Sequence, residues 1–71
     1  MDAANGRSED LPPILPERVV ARRWNRSVRT LQRWRKAGTG PTWMQIGGGV
    51  FYRREDVLAF EAAKRRGGSE T

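Results

Sequence analysis

A small α+β domain is what this sequence predicts: two short helices across a tight turn, then a glycine-tipped hairpin and a closing helix. Three observations predict it. The stretch WNRSVRTLQRWRKAG, Trp24 to Gly38, places turn residues ahead of apolar residues at helical spacing. The run Gly47-Gly48-Gly49 separates two short segments of strand character. Glu55 and Asp56 then precede an apolar stripe containing Val57 and Phe60. With 71 residues there is room for one such domain, and a chain this short buries only about 60% of its unfolded surface. Composition divides it into a disordered tail at 1–13, a folded unit at 14–66 and a flexible end at 67–71.

The tail, MDAANGRSEDLPP, is polar and acidic and ends in two prolines. The first helix is expected from about Pro16 to Trp24. Proline suits a first helical turn, where its missing N–H costs nothing, and Glu17 complements the positive helix end. Val20, Ala21 and Trp24 form its inward stripe. Asn25 tolerates the left-handed conformation of a tight turn, and Ser27 caps the next helix by accepting a free backbone N–H. That helix is expected over Val28 to Ala37, with Leu31 and Trp34 facing the core and Gly38 ending it. GTGPT at 38–42 is a connector. Two strands, Trp43–Ile46 and Val50–Arg53, flank the glycines, which supply the positive backbone angles of a hairpin. A last helix runs from Arg54 to about Arg65. The core is expected from Trp24, Trp34, Trp43, Phe51, Tyr52, Phe60 and the aliphatic residues.

Charge narrows the function. The net charge is +6, and from Arg18 to Arg54 there are ten basic residues and no acidic one. The flanks, 1–17 and 55–71, carry −3 and −1. An uninterrupted basic run over two helices joined by a turn points to a polyanion partner. The chain has no histidine and no cysteine, which removes the commonest general base, thiolate ligands and disulfides together. Catalysis would need paired carboxylates in a cleft. The expectation is therefore no enzyme, no metal, no cofactor and no small-molecule ligand. No apolar run approaches the roughly 18 residues of a membrane span, and no export signal is apparent, so a cytoplasmic location is expected.

Double-stranded DNA is the partner this pattern suits. A short second helix with an apolar back and a polar, cationic front fits the major groove. Arg29, Gln32, Arg33 and Lys36 form that front. Arg26, Ser27 and Thr30 near the helix start, with Arg53 and Arg54 beside the hairpin, are candidate phosphate contacts. The hairpin is either a plain structural ribbon or a wing, its tip at Gly47, Gly48 and Gly49 approaching the DNA backbone. Lys64, Arg65 and Arg66 match the helix dipole as a solvated terminus, with a phosphate contact as the alternative.

In this order of elements the chain resembles the small winged-helix excisionases, or recombination directionality factors, and related MerR-like helix-turn-helix proteins. The resemblance rests on SVRTLQRWRKAG at 27–38, GTGPTWMQIGG at 38–48 and VFYRREDVLAF at 50–60, and it covers about Leu15 to Ala63. It implies a winged helix-turn-helix with Arg29, Gln32 and Arg33 facing the groove and 47–49 as the wing. It also implies binding and bending of attachment-site DNA beside a tyrosine integrase, with cooperative self-association on DNA. A small transcriptional regulator of a phage or integrative element is the alternative. A protein-binding adaptor on the same fold is disfavoured by the basic run. MerR-type activators add a long dimerising helix, and none is expected after Ala63. Three residues depart from the family pattern. Arg26 stands at a usually apolar turn position, Gly49 where the wing commonly has arginine, and Phe51 where arginine is frequent. Phe51 is therefore either a protein–protein contact beside the wing or part of the small core.

Overall fold

The computed structural model describes residues 11–66; residues 1–10 of the tail expected at 1–13, and the end expected at 67–71, lie outside the described residues. The elements are β1 (Ile14–Pro16), α1 (Glu17–Arg23), α2 (Val28–Ala37), β2 (Met44–Ile46), β3 (Gly49–Arg53) and α3 (Arg54–Lys64). This is the small α+β, winged helix-turn-helix architecture that the sequence predicts. It has one strand more than expected, and β1 makes the hairpin into a three-stranded antiparallel sheet of order β1-β3-β2. Leu15 sits opposite Tyr52 and Pro16 opposite Phe51. Pro16 is thus the end of a strand and the N-cap of α1, not a residue of its first turn.

Local chemistry fixes the helix ends. Asn25 takes φ 57 just after α1. Its N–H reaches the Arg22 carbonyl at 3.1 Å and that of Arg26 reaches Ala21 at 2.8 Å, a Schellman arrangement that satisfies two terminal carbonyls. Ser27 Oγ accepts the Thr30 N–H at 3.1 Å, the cap expected at the start of α2. Gly38 ends α2 at φ 74, with Gly38 N–H on Arg35 O and Thr39 N–H on Trp34 O. At the hairpin, Ile46 pairs with Gly49, so the loop is two residues, Gly47 and Gly48, at φ 57 and 89. Two positive φ angles in a two-residue loop suit the twist of the flanking strands.

The core holds Leu15, Val20, Ala21, Leu31, Tyr52 and Val57, so every element except β2 contributes. Trp24, Trp34 and Phe60 form a half-buried aromatic cluster beside it, with ring centroids 5.1 to 6.1 Å apart. Two expectations about the core change. Trp43 is 40% exposed, because it lies on the sheet margin with Arg35 over its ring. Phe51 is half-buried and stands outside the core cluster; strand alternation puts it on the face away from Tyr52. Leu11 to Pro13, assigned to the tail by composition, hold the start of α3: Pro13 O accepts the Arg54 N–H at 2.9 Å, and Leu11 O accepts Arg54 Nη1 at 2.7 Å.

Candidate nucleic-acid interface

Arg29, Gln32, Arg33 and Lys36 are all exposed, and together they line one shallow depression on α2. They converge because Val28, Leu31 and Trp34 turn the opposite side of the helix inward, Leu31 completely. Four polar or cationic side chains on one face of an exposed helix offer donors in the pattern that base edges accept. At the start of α2, Ser27 and Thr30 form a local pair, their hydroxyls 3.0 Å apart. Arg26 is exposed and donates to the adjacent Asn25 carbonyl at 3.2 Å.

A linked set of contacts through Arg35 holds this helix in place. The Arg35 guanidinium grips Glu17 with two hydrogen bonds, Nε to Oε2 at 2.9 Å and Nη2 to Oε1 at 3.2 Å. The Tyr52 hydroxyl donates to the same Glu17 Oε2 at 2.8 Å. Arg35 also lies 5.0 Å from the Trp43 ring centroid, at the root of the hairpin. One cationic side chain on the back of α2 therefore ties the helix to α1, to the central strand and to the hairpin. Burial, then the hydrogen bond to the Glu17 carboxylate, pushes the Tyr52 phenol well above its ordinary value. The bond to Glu17 likewise makes the Arg35 guanidinium hold its proton more firmly.

The second brace joins α1 to α3. Arg23 binds Glu61 through Nε and Nη2, the latter at 2.9 Å, and Trp24 Nε1 donates to the same carboxylate. The Arg23 hydrogen bond lowers the Glu61 carboxyl below its usual range, against the opposing effect of partial burial. Arg23 is thereby engaged within the protein.

The remaining expected residues are dispersed. Only Gly47 and Gly48 form the hairpin tip. Gly49 belongs to β3, and a Cβ there would come within 2.9 Å of the Phe51 ring, so glycine makes room for that ring. Arg53 ends β3 and Arg54 opens α3, so Arg53 stands five residues and roughly 17 Å from Gly48 of the tip by strand rise. Arg53 is exposed, 3.7 Å from Glu55, and Arg54 is bound to the Leu11 carbonyl. Glu17 and Arg35 were missed by sequence reasoning, although a signal was present. Glu17, Val20, Ala21 and Trp24 fall at i, i+3, i+4 and i+7, and Val28, Leu31 and Arg35 share the facing stripe of α2.

Two helices joined by a tight turn, the second exposed and cationic, on a sheet that projects a two-glycine tip, define a DNA-binding protein of the helix-turn-helix class. Residues 18–65 match the helix-turn-helix domain family, and the chain belongs to that family, which includes small excisionase-like DNA-binding proteins. No curated protein matches the chain. Among the described residues, no helix is long and apolar enough to cross a membrane.

Proposed function

We propose that this protein is an excisionase, a recombination directionality factor that binds and bends attachment-site DNA so that a tyrosine integrase excises a mobile element. The observation that carries the reading is the α2 face: Arg29, Gln32, Arg33 and Lys36 presented together by a small winged domain. Arg29, Gln32, Arg33 and Lys36 enter the major groove. Arg26, Ser27 and Thr30 hold phosphates at the helix start, where the helix dipole favours an anion. The Gly47-Gly48 tip brings backbone N–H groups close to the duplex without inserting a side chain. Because one short helix and a bare tip make few base contacts, affinity comes from several copies on tandem sites, with Phe51 on the exposed sheet face as the contact between them.

The test is recombination with purified integrase on a substrate carrying both ends of the element, with footprinting of the same ends. An excisionase raises excision and protects repeated sites beside the crossover point. Protection of a promoter with unchanged excision would instead make it a transcriptional regulator. Equal affinity per site on one and on three tandem sites would remove self-association from the mechanism. With about six phosphate contacts, the log–log salt slope of binding lies near −5. A flat response would exclude DNA as the partner and favour an adaptor role.

A further inference from the structure

The DNA-facing side of α2 leaves a second surface feature unused. Between α2 and α3 lies an open cleft of about 490 Å³, with Trp24, Trp34 and Phe60 as its floor and Arg26, Lys64 and Arg65 at its rim. That volume is in the range of ligand-sized sites. The three rings are tilted 36 to 42° to one another and are only half-buried, so apolar ring surface stays open to solvent. Among the described residues Glu61 is the one carboxylate lining the cleft; Arg23 already neutralises it and the Trp24 indole donates to it. The remaining charge at the rim is cationic. Lys64 Nζ sits 5.4 Å from the Phe60 centroid, so the ammonium hangs over the aromatic floor.

We propose that this cleft docks an acidic peptide segment of a partner protein, one large apolar side chain of the segment seated on Trp24, Trp34 and Phe60 and flanking carboxylates held by Arg26, Lys64 and Arg65. Charge complementarity selects the occupant. A cationic rim around an apolar floor fits an anionic segment with a hydrophobic anchor, the arrangement in which a buried aromatic or aliphatic group supplies most of the binding energy. A DNA backbone would satisfy the rim but has nothing to fill the floor. The cleft shares no lining residue with the Arg29–Lys36 depression, and Arg26 is the residue it has in common with the proposed phosphate contacts. The peptide proposal does not depend on the excisionase reading.

The experiment titrates the full chain with a fluorescein-labelled peptide bearing a central tryptophan between two runs of three aspartates. Anisotropy is followed together with the three indole N–H resonances. Saturable binding is expected, with the Trp24 and Trp34 indole signals shifting and that of Trp43 unmoved. The double variant Lys64→Glu, Arg65→Glu alters exposed residues outside the core, and it should weaken binding at least about tenfold. Replacing the peptide tryptophan by glycine should abolish binding. A Phe60→Ala chain, provided circular dichroism shows it folded, should lose the Trp34 shift. The proposal is overturned if the glycine peptide binds equally well, since attraction would then be purely electrostatic. It is also overturned if the shifts map to Trp43 and the Arg29–Lys36 face. A double variant that loses duplex affinity while keeping the peptide would assign the rim to DNA instead.

Discussion

Replacing Glu17 by alanine tests whether the α2 face owes its position to a single carboxylate. Glu17 is 8% exposed and accepts three hydrogen bonds, two from Arg35 and one from Tyr52. Its removal strands a phenol that is 1% exposed and a guanidinium whose side chain is 17% exposed. Breaking one side of a buried ion pair typically costs about 3–5 kcal/mol. The residual exposure of Arg35 and its contact with Trp43 reduce this to about 2–4 kcal/mol. A domain of this size has roughly 4–10 kcal/mol in total, so much of its stability is at stake. Urea unfolding, with a slope near 1 kcal/mol/M for so small a domain, would show the midpoint falling by about 2–4 M. Glu17→Gln keeps a carbonyl acceptor and should fall between wild type and Glu17→Ala. Tyr52→Phe removes one hydroxyl and should cost about 1 kcal/mol. A Glu17→Ala chain within about 0.5 kcal/mol of wild type, the scatter of ordinary surface changes, would refute the reasoning.

Three further outcomes are expected. Arg33→Ala should lose sequence discrimination by about 1–3 kcal/mol if its guanidinium reads a guanine, while Thr30→Ala weakens all sequences alike; competition between matched and scrambled duplexes measures both. Ser27→Ala removes the cap on Thr30 and should cost about 1 kcal/mol of thermal stability, and an unchanged melting temperature would show the cap to be idle. Stability should also decline at both pH extremes. The raised Tyr52 value means that its contribution is complete below the ordinary value near 10 and is lost as pH rises beyond it. The lowered Glu61 value means that its contribution is present above the ordinary value near 4.3 and is lost as pH falls. Tyr52→Phe should flatten the alkaline decline, and an identical profile in that variant would exclude Tyr52 as its source.

Features governed by neighbouring residues were legible in the sequence. Asn25, Ser27 and Gly38 act within one helical turn, so residue type alone announces the left-handed turn, the cap and the stop. The α2 face was legible for the same reason, since Arg29, Gln32, Arg33 and Lys36 are grouped by helical period. What stayed hidden depends on distant partners. β1 is three residues long and contains a proline, and only its pairing with β3 makes it a strand. Glu17 reads as a dipole-matched terminus until Arg35 and Tyr52 are placed against it. Trp43 was expected in the core and Leu11 to Pro13 in the tail because nothing local indicates that one lies under Arg35 or that the others hold Arg54.

The pairing of Ile14–Pro16 with Phe51–Arg53 bears on how the chain acquires its shape. The α1–turn–α2 unit rests on contacts near in sequence, whereas this ladder closes a loop that encloses that unit and most of the hairpin. Loop-closure entropy places such a ladder late on the folding route. Mutations at Leu15 are then expected to accelerate unfolding with little effect on refolding, and Leu31→Ala to slow refolding, as a chevron series would report. The helix-turn-helix unit would thus be assembled before the strap that locks it in place.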